Sequence, residues 1–178
     1  MIDVYFSISK QYRKYADKDY DILGSSLKAI GYESDEFKLR KFSSSVYTSC
    51  ENEVRYPDFM VTSLPHIGKL IGKGSYIEIE YARDNDIPVF VIIDVDSKRK
   101  MFLVDYAKPV YENDWVMHAR ITLYDEEPIG KQRMKAIFSN FNIDEPKSAK
   151  DRWIRTNSPV TEEIEETVDQ SENILFLL

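Results

Sequence analysis

Apolar residues at the start of the chain predict a strand followed by a helix. Residues 2–8 are rich in β-branched and aromatic side chains, which is typical of a short buried strand. Gly31 suits the left-handed conformation in which many helices end. Before it, apolar residues recur at helical spacing, at Ala16, Tyr20, Leu23, Leu27 and Ile30. This part of the chain is therefore predicted to form a β-α unit.

Two further strands are predicted on either side of a second helix. Residues 57–62 form an apolar run that ends before Pro65, and residues 87–94 form the clearest buried strand in the chain. Residues 75–85 between them are predicted to be helical, with Ser75 as the N-cap. A strand, a crossover helix and a buried strand in this order indicate a parallel sheet with helices on its faces. The expected fold is a flavodoxin-like or Rossmann-like three-layer α/β domain with a mostly parallel sheet.

The remaining segments carry weaker patterns. Residues 33–56 favour a short strand or helix together with a serine-rich loop. Extended structure is expected at residues 101–106 and 115–124, and residues 128–141 fit a helix with one apolar face. These elements complete the predicted domain.

Length and composition agree with one main domain. The chain has 178 residues, of which 43% are hydrophobic and 13% aromatic, so it can bury a sizeable core. Beyond Asp144 the composition becomes polar and charged. The predicted division is an α/β domain over residues 1–145 and a charged C-terminal helix and tail over residues 146–178. The acidic run at residues 162–166 is interpreted as a solvated helix face.

Charge and cysteine content narrow the classes of partner. With 24 basic and 31 acidic residues the net charge is −7, which favours neither binding to a nucleic acid polymer nor attraction to an anionic membrane. Cys50 is the only cysteine, and His66 and His118 are too far apart for metal-ligand spacing, so no metal site is predicted. No apolar run reaches the roughly 20 residues that a bilayer-spanning helix needs. We therefore expect a cytoplasmic protein.

The candidate chemistry centres on Glu78. The loop before the second predicted helix contains Gly68, Gly72 and Gly74, which allow a backbone to approach a ligand or turn sharply. We expect Glu78 in the first turn of that helix, where the positive end of the helix dipole would keep its carboxylate ionised. An ionised carboxylate can attack a sugar C1′ or stabilise an oxocarbenium-like transition state. The alternative interpretation is an ordinary acidic residue in a first turn.

Three short segments predict a more specific role for Glu78. Residues 74–89, with Glu-Ile-x-Tyr-Ala followed by Ile-Pro-Val, resemble the signature of the nucleoside 2-deoxyribosyltransferase family, in which the glutamate is the nucleophile. The segments Val4-Tyr5-Phe6-Ser7 and Pro57-Asp58-Phe59-Met60-Val61 resemble two further strands of that family. The resemblance implies that Glu78 forms a glycosyl intermediate, that Tyr5 orients it and that Asp58 contacts and protonates the base. A core aromatic and a loop-pinning carboxylate are the structural alternatives for Tyr5 and Asp58.

The resemblance extends to one later segment and to the assembly. Asn113-Asp114-Trp115 resembles the family's segment that reaches into a neighbouring subunit's site, which implies a homo-oligomer in which Asp114 binds substrate. The chain departs from the family at Gly72, where an aspartate is usual, and at Glu80, where a glycine is usual. In the family this aspartate contacts the sugar hydroxyl. Because the contact is lost here, we expect hydrolysis at least as much as base transfer.

A second group of residues suggests a phosphate subsite. Ser7-Ile8-Ser9-Lys10 resembles the loop with which related nucleoside-monophosphate N-glycosidases hold a 5′-phosphate. Hydroxyls, backbone N–H groups and a cation after a first strand make a suitable anion site. Lys73 and Ser75 lie by the second glycine loop, whose Gly72 and Gly74 are also predicted to bind substrate, and they support a phosphate here. The alternative is a solvated polar loop with a helix cap.

Other families share parts of the pattern. Gly72-x-Gly74-Ser75-x-x-Glu78 resembles the Gly-x-Gly-Thr-x-x-Glu of cytokinin-activating phosphoribohydrolases. TIR domains, some of which cleave NAD, have a similar first strand and a glutamate on a helix before an Ile-Pro-Val strand. All these resemblances imply that the glutamate acts on an N-glycosidic bond, without a cofactor. A non-catalytic nucleotide-binding or scaffold module is the alternative outside the enzyme class.

Overall fold

The computed structural model describes residues 2–41, 57–113 and 116–139 of the chain. Seven strands and three helices follow each other in these segments. They are β1 (Ile2–Ser7), α1 (Arg13–Ala29), β2 (Phe37–Lys41), β3 (Phe59–Ser63), β4 (Leu70–Gly72), α2 (Lys73–Asp84), β5 (Val89–Val95), β6 (Lys98–Asn113), β7 (Val116–Leu123) and α3 (Lys131–Ser139). A short 3-10 helix, Lys10–Tyr12, precedes α1. Asp114, the serine-rich loop and the predicted C-terminal tail lie outside the described residues.

The strands form one mixed sheet in the order β2-β1-β3-β5-β6-β7-β4. The first four strands of this order are parallel, with Tyr5 opposite both Arg40 on β2 and Met60 on β3. The other three join through antiparallel pairs. The predicted parallel sheet is therefore confirmed as the core of the fold, and the antiparallel half extends it.

Helices cover both faces of the parallel core, which confirms the three-layer α/β architecture. On one face α1 and α3 contribute Leu23, Leu27, Met134, Ile137 and Phe138 to a hydrophobic cluster that includes residues of β1, β3 and β5. On the other face α2 contributes Ile79 and Ala82 to a second cluster. The alternation of side chains along β1 explains the division, because Val4 and Phe6 belong to the first cluster and Tyr5 to the second.

The strand order reverses between β1 and β3. From β1 the chain passes through α1 to β2 on one side, whereas from β3 it passes through α2 to β5 on the other side. The two helices lie on opposite faces of the sheet. In open α/β sheets, a reversal of this kind leaves a crevice at the carboxyl ends of the two strands, and ligands commonly bind there. Here those ends are Ser7 and Ser63.

The antiparallel half brings the end of the sheet back to the segment after β1. Strand β4 is the last in the sheet order. The Leu70 carbonyl accepts hydrogen bonds from Gln11 Nε2 at 3.0 Å and from the Tyr12 hydroxyl at 2.9 Å. The Gly72 backbone N–H donates to Ser9 Oγ at 3.4 Å. The sheet thus curves around α2, and α2 begins beside the loop that follows β1.

Several element boundaries differ from the sequence predictions. The second helix begins at Lys73, two residues earlier than predicted, and its N-cap is Gly72, so the N-cap prediction for Ser75 was wrong. The first helix ends as predicted, and Gly31 has a φ of 106° in the left-handed region. Within the described residues, the helix predicted over 128–141 begins at Lys131. Strand β6 is a single 16-residue strand and is much longer than the extended segment predicted at residues 101–106.

A buried ion pair fastens α1 to the sheet. The Arg99 guanidinium bonds both carboxylate oxygens of Asp19, at 3.0 Å through Nε and 2.5 Å through Nη2. It also donates to the carbonyl oxygens of Leu64, Pro65 and Ile92. The side chains of Arg99 and Asp19 are only 6% and 0% exposed. Because both charges are buried, each pays a desolvation penalty, and the attraction between the two side chains offsets it.

None of the helices in the described parts of the chain combines the length and apolar character needed to cross a membrane.

Candidate functional site

Glu78 lies on the face of α2 that packs against the sheet. The buried residues of α2 are Ser75, Glu78, Ile79 and Ala82, which recur at helical spacing, and Glu78 is only 3% exposed. A carboxylate in this position costs free energy unless polar groups or charges compensate it. Its burial therefore distinguishes Glu78 from an ordinary solvated helix residue.

The prediction that Glu78 lies in the first turn of its helix was wrong. Because α2 begins at Lys73, Glu78 is its sixth residue and belongs to the second turn. The helix macrodipole acts mainly within the first turn, so it contributes less to the ionisation of Glu78 than expected. The N-cap residue, Gly72, has no side chain that could accept a hydrogen bond from the backbone N–H groups at the start of α2.

Tyr5 and Ser7 lie on the sheet face that α2 covers. Both side chains are fully buried, and Tyr5 belongs to the same hydrophobic cluster as Ile79 of α2. Ser7 is two residues further along β1 and therefore points to the same face. Among the described residues, no hydrogen-bond partner is present for the buried Ser7 Oγ. A buried hydroxyl of this kind is a suitable contact for a ligand or for water.

The two predicted phosphate-binding segments are brought together. Ser9 is 7% exposed and contacts Gly72 through the hydrogen bond described above, whereas Lys10 is exposed at the start of the 3-10 helix. Gly74 lies in the first turn of α2, and Ser75 is buried in the same turn. The loop after β1 and the start of α2 thus form one polar region at the carboxyl edge of the parallel strands.

Asp58 has a structural contact at the opposite end of its strand. It precedes β3, and its Oδ2 accepts a hydrogen bond from the Asp3 backbone N–H at 2.8 Å. The Asp58 N–H in turn donates to the Asp3 carbonyl at 2.7 Å. These bonds join the amino ends of β1 and β3, whereas Ser7 lies at the carboxyl end. Asp58 remains only two residues from Met60, the register partner of Tyr5.

Arg40 is a residue of this region that the sequence interpretation missed. It is the register partner of Tyr5 on β2, and its guanidinium carbon lies 5.8 Å from the centroid of the Tyr5 ring. Its Nε donates to Asp3 Oδ1 at 2.8 Å. The alternation of Phe37, Lys38, Leu39 and Arg40 assigns the two basic side chains to one face of a strand, but it does not indicate which strand pairs with it.

A groove lies between the exposed side of α2 and β6. The groove has a volume of about 410 Å³, and its lining residues are Tyr76, Glu80, Arg83, Asp84, Tyr106, Ala107 and Pro109. Burial raises the pKa of the Tyr76 hydroxyl, and the charges of Glu80 and Asp84 and the Tyr111 hydroxyl raise it further. Glu80, the residue that departs from the family pattern, therefore faces this groove. Among the described residues, none of those predicted for the site lines it.

The described residues do not contain a cluster of three or more histidine, cysteine, aspartate or glutamate side chains placed to hold a metal ion. The residues predicted for the site supply carboxylates, a phenol, hydroxyls, the Lys10 ammonium group and backbone N–H groups. The trans contribution predicted for Asp114 stays a prediction.

Comparison of the chain with models of protein families, with curated proteins and with solved structures finds no match.

Proposed function

We propose that this protein cleaves the N-glycosidic bond of a nucleoside or nucleoside 5′-monophosphate, with Glu78 as the nucleophile. The observation that carries the proposal is the burial of the Glu78 carboxylate on the stripe of α2 that faces the sheet. Tyr5 and Ser7 point to the same space between helix and sheet. Carboxylates withdrawn from water beside polar groups are frequent at catalytic sites.

The reaction is a two-step displacement at C1′ of the sugar. A carboxylate oxygen of Glu78 forms a bond to C1′ while the bond from C1′ to the base nitrogen breaks, and the electron pair of that bond leaves with the base. The base takes up a proton from water or from a carboxylic acid. The resemblance implies this role for Asp58, but its carboxylate accepts the Asp3 N–H at the amino ends of β1 and β3, so the proposal takes water as the proton source. Water or a second base then displaces Glu78 from C1′ and regenerates the carboxylate.

The polar region beside α2 supports a phosphorylated substrate. The Ser9 hydroxyl oxygen accepts a hydrogen bond from the Gly72 N–H. Its own proton can therefore be donated to a phosphate oxygen. Lys10 is exposed nearby, and the N-terminus of α2 presents backbone N–H groups at the same edge. The reversal of strand order between β1 and β3 is a second, independent argument for ligand binding at this edge.

The proposal is tested by measuring base release. The protein is incubated with deoxyribonucleosides, ribonucleosides, their 5′-monophosphates and NAD, with and without a second free base. The released base is quantified chromatographically. We expect release from at least one nucleoside or monophosphate. Glu78→Gln keeps the size of the side chain and should lower the rate by about 10³-fold or more, because the nucleophile is lost.

The matched control is Glu126→Gln, which makes the same change at an exposed glutamate outside the predicted site. It should release base at the wild-type rate. Release from NAD alone would favour the TIR-like alternative. Nucleotide binding without any base release would favour the non-catalytic module and overturn the proposal.

A further inference from the structure

Tyr5 lies between two register partners on the parallel sheet. Met60 is its neighbour on β3, and Arg40 is its neighbour on β2. The Arg40 guanidinium lies over the Tyr5 ring at 5.8 Å from the centroid, within the range of a cation–π interaction. A planar cation in this position restricts how the buried ring can tilt.

Arg40 is itself held by a chain of contacts that runs from β2 through β1 to the residue before β3. Its Nε donates to Asp3 Oδ1 at 2.8 Å, and the side chains of Arg40 and Asp3 are 19% and 25% exposed. Asp3 is fixed by two bonds to Asp58, one to the Asp58 carboxylate and one from the Asp58 backbone N–H. A partly buried ion pair anchored in this way is better ordered than an isolated surface pair.

We infer that Arg40 is a positioning residue for Tyr5, anchored through Asp3 to Asp58. The inference rests on the proposed function and on the role that the resemblance implies for Tyr5, which is to orient the Glu78 carboxylate. In this arrangement the cation fixes the ring of Tyr5, and the two hydrogen bonds between Asp3 and Asp58 join β1 to the residue before β3. Small displacements of an orienting group are costly because the nucleophile must approach C1′ in a narrow geometry.

The first test separates positioning from general stability. Arg40→Met removes the cation and the bond to Asp3, and Arg40→Lys keeps the charge without the planar group. Arg133→Met is the control, because Arg133 also pairs with an aspartate, at 3.3 Å, and has a similar side-chain exposure of 22%. We expect Arg40→Met to lower kcat for base release about tenfold with little change in KM, and Arg40→Lys to lower it less.

A second measurement does not depend on activity. In protein labelled with ¹³C-tyrosine, the Tyr5 ring signal is assigned by its loss in Tyr5→Phe. We expect Arg40→Met to move this signal and Arg133→Met to leave it in place. An unmoved Tyr5 signal, or a moved signal with unchanged kcat, overturns the inference. If wild-type protein releases no base at all, the proposed function fails, whereas the NMR result still reports on the contact between Arg40 and Tyr5.

A double substitution completes the test. If Arg40 acts only through Tyr5, Arg40→Met should cause no further loss of kcat in a Tyr5→Phe background. Full additivity of the two effects contradicts the inference, because it shows that Arg40 acts on the reaction independently of Tyr5.

Discussion

The Gly72 backbone N–H and the Ser9 Oγ meet at 3.4 Å across 63 positions of sequence. This contact joins the loop after β1 to the residue that precedes α2. It depends on the position of β4 at the end of the sheet, beside the loop that follows β1. The two segments predicted to bind phosphate are neighbours because of this curvature of the sheet.

Replacement of Ser9 by alanine should weaken the use of phosphorylated substrates. The change removes the hydroxyl proton that would bind a phosphate oxygen, and hydrogen bonds to charged groups contribute about 1.5–3 kcal/mol. We expect KM for a nucleoside monophosphate to rise about tenfold or more, while KM for the matching nucleoside stays within about twofold. Steady-state kinetics on both substrates checks this. An equal effect on the two substrates would place the phosphate elsewhere.

Breaking the buried ion pair between Arg99 and Asp19 should destabilise the fold. Arg99→Met leaves the fully buried Asp19 carboxylate without its main cation, and loss of one partner of such a pair costs about 3–5 kcal/mol. Urea unfolding followed by circular dichroism measures the change in the free energy of unfolding. Arg133→Met, which breaks a more exposed pair, should cost less than about 1 kcal/mol. Equal losses in the two variants would contradict this account.

Tyr32 should make the stability of the protein fall at alkaline pH. Burial raises the pKa of its hydroxyl above the ordinary value of 10.0, and the Glu36 carboxylate raises it further. The folded state therefore holds the phenolic proton more tightly than the unfolded state. This contribution is fully present below pH 10 and is lost as the pH rises through the folded pKa.

The Tyr32 prediction is tested by urea unfolding of the wild type and of Tyr32→Phe at steps of ~0.5 pH units between about pH 8.5 and pH 11. Because Tyr32→Phe lacks the phenol, its free energy of unfolding should fall less steeply as the pH rises. Tyr124→Phe serves as the comparison because Tyr124 is 50% exposed. An identical decline in wild type and Tyr32→Phe would refute the assignment.

Three strands of the parallel core could be predicted from the sequence because β1, β3 and β5 carry dense apolar runs. In β2 only Phe37 and Leu39 alternate with basic residues, so this segment favoured a short strand or helix. The antiparallel half could be predicted only in part, since the extended segments expected at residues 101–106 and 115–124 fall in β6 and β7, whereas β4 and the strand pairing were not predicted. Strand β4 has only three residues, in a segment whose glycines indicate a loop. In β6, the register shift between Val104 and Tyr106 interrupts the alternation of side chains, so its apolar pattern breaks in the middle of a continuous strand.

The candidate site was predictable only in part. Glu78, Tyr5 and Ser9 could be found because short motifs mark them, and the structure buries all three. The turn of α2 that carries Glu78 was mispredicted, since Ser75 suggested a cap and the helix starts earlier, after Gly72. Arg40 was missed because its role arises from pairing between β1 and β2, a contact between strands that no local pattern specifies.

The most direct measurement of the central claim is the mass of the protein quenched in acid during turnover of its best substrate. If Glu78 is the nucleophile, a fraction of the protein should gain the mass of the sugar or sugar phosphate, and peptide mapping should locate it on Glu78. Glu78→Gln should show no adduct and almost no base release. Rapid base release that persists in Glu78→Gln, or an adduct on another residue, would contradict the account.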